Sequence, residues 1–70
     1  LTWLKHKVAD RWYLFPSPNG GHVKESLGAV ERIGIAYEAR DRDGLLIAKR
    51  SSRQRAMMLV EEAEKISVSR

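Results

Sequence analysis

The stretch "IAYEARDRDGLLIAKRSSRQRAMMLVEEAEK", residues 35–65, changes its hydrophobic period and so decides the fold. Ile35, Tyr37 and Ala39 alternate with Ala36, Glu38 and Arg40, the period of two expected of a half-buried strand. "DRDG" (41–44) is a hairpin signal in which Gly44 can take a positive φ. "LLIAKR" (45–50) then returns as a second strand. A four-residue loop sets Arg40 opposite Leu45, Ala39 opposite Leu46 and Tyr37 opposite Ala48. One face then carries Ile35, Tyr37, Ala39, Leu46 and Ala48, and the other carries Glu38, Arg40, Leu45, Ile47 and Lys49. A one-residue slip would exchange the faces of the second strand.

Beyond residue 50 the period lengthens. Ser52 or Ser51 supplies an N-cap, because its hydroxyl can accept from a backbone N–H at the helix start. Ala56, Leu59, Val60, Ala63 and Ile66 fall at i, i+3, i+4, i+7 and i+10, an apolar stripe directed at the sheet. The stripe centres near Ala63, which places Met57 about 120° and Met58 about 140° from its middle. Met58 therefore points to solvent, with Met57 at the margin.

Toward the N-terminus, "RWYLF" (11–15) has strand composition, with Trp12 and Leu14 on one face and Tyr13 and Phe15 on the other. "PSPNGG" (16–21) is a loop, "HVKESLGAVE" (22–31) resumes the extended pattern with Gly28 as a candidate bulge, and "RIG" (32–34) is a turn. Residues 1–10 fit either a helical face (Leu1, Leu4, Val8) or a short strand or arm (Trp3, Lys5), and an arm here would cover the aromatics of 11–15. The expectation is a single α+β domain. An antiparallel meander of three to four strands (11–50) packs under one C-terminal helix (52–66), flanked by an N-terminal arm (1–10) and a tail (67–70).

Seventy residues support one thin core, and without cysteine no disulfide or thiolate zinc site reinforces it. The absence of cysteine suits an intracellular chain, cytoplasmic or nucleoid-associated. No apolar run approaches the ~20 residues of a membrane span, and "LTWLKHKV" is too short in its apolar part for a signal peptide. The leading leucine fits a processed chain, an excised domain or a start codon read as leucine. Thirteen Lys and Arg against nine Asp and Glu give +4, a balance that favours anionic partners.

Little in the pattern supports catalysis. His6 lies between lysines and His22 follows a glycine turn, neither with a metal partner at ligand spacing. Asp41, Asp43 and Gly44 lack the terminal glutamate of a calcium loop. Glu61, Glu62 and Glu64 read as a solvated helix face, and the serines as caps. The expectation is a non-enzymatic chain without metal, cofactor, membrane or small-molecule substrate. The informative cluster is Lys49, Arg50, Arg53 and Arg55 at the strand-to-helix corner. A helix start already presents positive partial charge and free N–H donors there, so these cations concentrate the potential.

Residues 34–65 resemble the arm-type DNA-binding domain at the N-terminus of tyrosine integrases. The shared elements are Gly34 and Tyr37 opening a strand, the Asp41–Gly44 turn, the basic Lys49–Arg50, and Ser52 before a helix bearing Ala56. Small phage and actinobacterial proteins have similar segments. The resemblance implies a three-stranded sheet whose open face enters the major groove, with Arg40, Arg42 and Lys49 as contacts. Tyr37 lies one residue further from the glycine than in that pattern, and Glu38 sets a carboxylate on the implied DNA face. Arg50, Arg53 and Arg55 are the candidate phosphate contacts, with DNA favoured over RNA. The alternative is a protein-interaction module, such as a small phage-type factor docking on a larger enzyme, that uses Leu45, Ile47, Met57 and Met58.

Overall fold

A computed structural model describes residues 1–17 and 25–68. The Asn19–Gly21 cluster, His22 and the end of the tail lie outside the described residues. The strands are β1 (Thr2–Lys5), β2 (Arg11–Phe15), β3 (Gly28–Ile33), β4 (Ala36–Asp41) and β5 (Leu46–Arg50), followed by helix α1 (Arg53–Val68). They form one sheet in the order β1-β2-β3-β4-β5, every neighbouring pair antiparallel, with α1 against β3, β4 and β5. The α+β meander under a C-terminal helix is thus present, with five strands instead of three or four. The additional strand is β1. It does not fold over the aromatics of β2 but continues the sheet beside them, Trp3 opposite Leu14 and Leu4 opposite Tyr13.

Each turn follows from local chemistry. Gly34 (φ 63°) and exposed Ile35 form a two-residue loop between Ile33 and Ala36, with positive φ at its first position alone, as in a type II′ hairpin. Ile35 therefore stands at a turn tip and not on the apolar face. In the next hairpin the Asp41 N–H donates to the Leu45 carbonyl at 3.0 Å, so the loop has three residues, Arg42 to Gly44, and Gly44 takes φ 83°. The Asp41 carboxylate accepts from the Asp43 and Leu45 N–H groups at 2.9 and 3.0 Å. The register then shifts between Ala39 and Arg40: Arg40 faces Leu46 while Ala39 faces Ala48, leaving Ile47 as the extra residue. Tyr37 accordingly faces Arg50 and not Ala48, and Leu46 moves to the face of Arg40, where it is exposed. In the β1–β2 turn, His6 Nδ1 accepts from the N–H groups of Val8 (3.1 Å) and Ala9 (3.0 Å).

Trp12, Leu14, Val30 and Ala39 from the sheet meet Ala56 and Val60 from the helix, with Trp3, Leu27, Tyr37, Met57 and Leu59 packed around them. Ser52 precedes the helix, and its carbonyl accepts from the Ala56 N–H at 3.1 Å. The buried helix positions are Ala56, Val60 and Glu64, at i, i+4 and i+8. That face is turned by about 60° from the stripe centred on Ala63. Glu64 turns inward and Ile66 outward to 59% exposure. The cause is an ion pair from outside the helix: Arg42 Nη2 reaches both Glu64 oxygens, at 2.5 and 2.7 Å.

Gly28 forms no bulge, since it pairs regularly with Leu14 and Asp41. Its role is clearance, because a Cβ there would lie 2.3 Å from Val60 Cγ1 and 3.0 Å from the Arg40 carbonyl oxygen. Gly28→Ala is expected to lower stability by about 1–3 kcal/mol in urea unfolding, and Val60→Ala in the same chain to recover part of that loss. His6→Ala is expected to cost about 1 kcal/mol and to raise amide exchange at Val8 and Ala9, since both donors lose their acceptor.

Candidate nucleic-acid interface

Cross-strand pairing assigns the charged residues to two opposite faces. On the helix side, beyond the start of α1, Arg32, Tyr37 and Arg50 form one row across β3, β4 and β5. The Tyr37 ring lies 6.0 Å from that of Trp12 at 55°. The Arg53 guanidinium lies 5.0 Å from the Trp12 ring centroid and Lys5 Nζ 5.9 Å from it, which ties two cations to one aromatic ring. Arg32 donates to the Gly34 carbonyl (3.1 Å) and Arg50 to the Lys49 carbonyl (2.7 Å), while Arg55 is exposed in the first helical turn. No acidic residue stands in that turn. Trp12 and Tyr37 support this corner from beneath; with Trp12 only 9% exposed, its ring is no platform for an incoming base.

The open face is balanced in charge. One row reads Arg11, Glu31, Glu38, Lys49 across four strands. Arg11 hydrogen-bonds Glu31 and is held above its ordinary pKa by that contact first and by Tyr13 second. Glu38, 8% exposed, accepts from Arg40 at 2.9 Å and lies 3.4 Å from Lys49 Nζ. The Arg40 hydrogen bond lowers the Glu38 pKa despite the opposing effect of burial, and Lys49 adds to the lowering. Arg42 is likewise held above its usual value, chiefly by its hydrogen bond to Glu64. A parallel row runs Leu4, Tyr13, Ala29, Arg40, Leu46. Above Ala29 opens a concavity of about 430 Å³ walled by Tyr13, Arg11, Arg40 and the 41–44 turn. Another of about 450 Å³ lies on the far side of Tyr13, between Phe15 and Lys5 to Val8.

The six candidate phosphate and base contacts therefore do not share one surface. Arg50, Arg53 and Arg55 share the corner, Arg40 and Lys49 share the open face, and Arg42 sits at the opposite end of the helix with Glu64. The alternative set divides too. Leu45 and Ile47 are exposed along the β5 edge, Met58 is exposed on the outer helix surface, and Met57 packs against the core. Sequence reasoning missed Arg32 and Lys5. Arg32 becomes legible once Gly34–Ile35 is read as a two-residue loop, because that loop sets it directly across from Tyr37.

Among the described residues no group of three or more His, Cys, Asp or Glu side chains is placed to hold a metal ion, and no helix is long and apolar enough to cross a membrane. Comparison with family models, curated proteins and solved structures finds no match to this chain.

The lowered Glu38 pKa carries a pH dependence of definite sign. Its contribution to stability is complete above the ordinary glutamate value and is lost as pH falls through the lowered one. Urea unfolding between about pH 5 and pH 3 should show the wild type losing more stability than Glu38→Gln, whose side chain does not titrate.

Proposed function

We propose that the chain is a small, non-enzymatic nucleic-acid-binding module that grips phosphates at its strand-to-helix corner. One observation carries the reading: Glu31, Glu38 and Glu64 are paired with Arg11, Arg40, Lys49 and Arg42, whereas Arg32, Arg50, Arg53 and Arg55 gather round a helix start without a carboxylate in that turn. Backbone N–H donors at a helix start, with guanidinium groups on the residues around it, suit phosphate oxygens. Such contacts supply affinity more than sequence reading. The integrase resemblance favours DNA, with the principal contacts moved from the open sheet face to the corner.

Four phosphate contacts predict that log affinity falls with log salt with a slope of about −3 to −4. Arg53→Ala and Arg55→Ala should each reduce that slope by about 1, and Arg53→Glu with Arg55→Glu should abolish binding in a gel-shift titration. Absent or salt-insensitive binding would rule the reading out.

A second reading rests on a different observation. Leu45, Leu46 and Ile47 are three consecutive exposed apolar residues at a sheet edge, a pattern that suits docking on a larger protein. A stoichiometric protein partner that is retained at high salt and lost with Leu45→Asp would favour it over the first.

A further inference from the structure

We propose that the concavity over Ala29 is a slot for one unpaired nucleobase, stacked between Tyr13 and Arg40, on a single strand that rounds the β5 edge from the corner. This rests on the nucleic-acid reading and narrows it to single-stranded ligands.

The slot follows from sheet geometry. Tyr13 faces Ala29 across β2–β3, and Ala29 faces Arg40 across β3–β4, so the two walls stand two strands apart, about 9.6 Å at the backbone. With only a methyl group on the floor, the concavity between them is open to a planar ring. The Arg40 wall is fixed: its guanidinium donates to the Glu38 carboxylate and to the Gly44 carbonyl, each at 2.9 Å. An aromatic ring and a guanidinium plane are the two side-chain surfaces on which bases stack.

Charge selects what enters. Arg11, Arg40 and Arg42 line the concavity together with Glu31, Asp41 and Asp43, an equal count of each sign. A neutral ring suits that balance better than a phosphate does. Ser26 and the carboxylates at the rim can accept from the N–H groups of a base edge.

The path from the corner carries a cation at each stage, with Glu38 paired between the last two. Arg53 and Arg50 lie on the helix side, Lys49 is the next side chain round the edge strand, and Arg40 begins the slot. The domain measures only 18 Å in its shortest dimension. A strand that touches both faces must turn through that thickness, which a duplex with a persistence length of ~50 nm resists and a single strand does not.

The test compares three fluorescent probes of about twelve nucleotides: an oligothymidylate, an abasic strand with the same number of phosphates, and a duplex. Wild-type protein should bind the oligothymidylate about tenfold more tightly than the abasic strand, and more tightly than the duplex. Tyr13→Leu should bring the oligothymidylate and abasic affinities together. Ala29→Leu, which fills the slot from an open-face position, gives the same readout should Tyr13→Leu fail to fold. Equal salt-dependent binding of the oligothymidylate and abasic strand overturns the slot and leaves the corner standing. A duplex bound as tightly as the single strand overturns the path round the edge. No binding of any probe, with Tyr13-dependent capture of a tryptophan-containing peptide, overturns both and reassigns the concavity to a protein.

Discussion

The close approach of the helix to the sheet is the constraint from which the rest follows. At Gly28 the sheet leaves no room for a Cβ beneath Val60, and two alanines, Ala39 and Ala56, are among the residues buried between the layers. Small side chains on both layers let the backbones come together, so a chain with few large core residues still excludes water from between them. That seating brings α1 close against the sheet, and the Arg42–Glu64 ion pair turns Glu64 inward. At the other end the same seating sets Arg53 over Trp12. The cations at the start of "KRSSRQRAMMLVEEAEK" oppose the helix dipole, yet Arg53 finds an aromatic partner in the sheet and the last turn carries Lys65.

Charge is sorted by face, and the formal +4 gives no hint of it. Glu31 and Glu38 sit side by side on the open surface, a juxtaposition of like charges that Arg11, Arg40 and Lys49 relieve. With those carboxylates engaged there, the arginines at the start of the helix keep their positive potential. Glu38 is the least replaceable of these acids, because it is buried and pairs with two cations at once, Arg40 and Lys49.

Much of the architecture was legible in the sequence. The alternation over 35–40, the turn containing Gly44 and the lengthened period after Ser52 each matched an element, since each is a local signal. Three features escaped. β1 contributes only four residues, too few for a period of two to stand out against a helical spacing. The β4–β5 register depended on whether Asp41 belongs to the strand or the loop, and a hydrogen bond to Leu45 decides that. The rotation of the helix is set by Arg42, which no reading of the helix alone contains. The candidate site was legible in part, because Arg50, Arg53 and Arg55 are adjacent in the chain. Arg32 and Tyr13 reach their neighbours only through cross-strand pairing.

The strand order has a consequence for how quickly such a chain can organise. Every strand pairs with the one before it in sequence, and the helix returns to the three strands that precede it. Apart from the longer connection between β2 and β3, each step closes a short loop, so little chain entropy is lost before a contact forms. Sheets are slow to form when their pairings are distant in sequence; here the β3–β4–β5 unit and its helix are contiguous in the chain. That unit can assemble first, with β1 and β2 joining an edge that already exists.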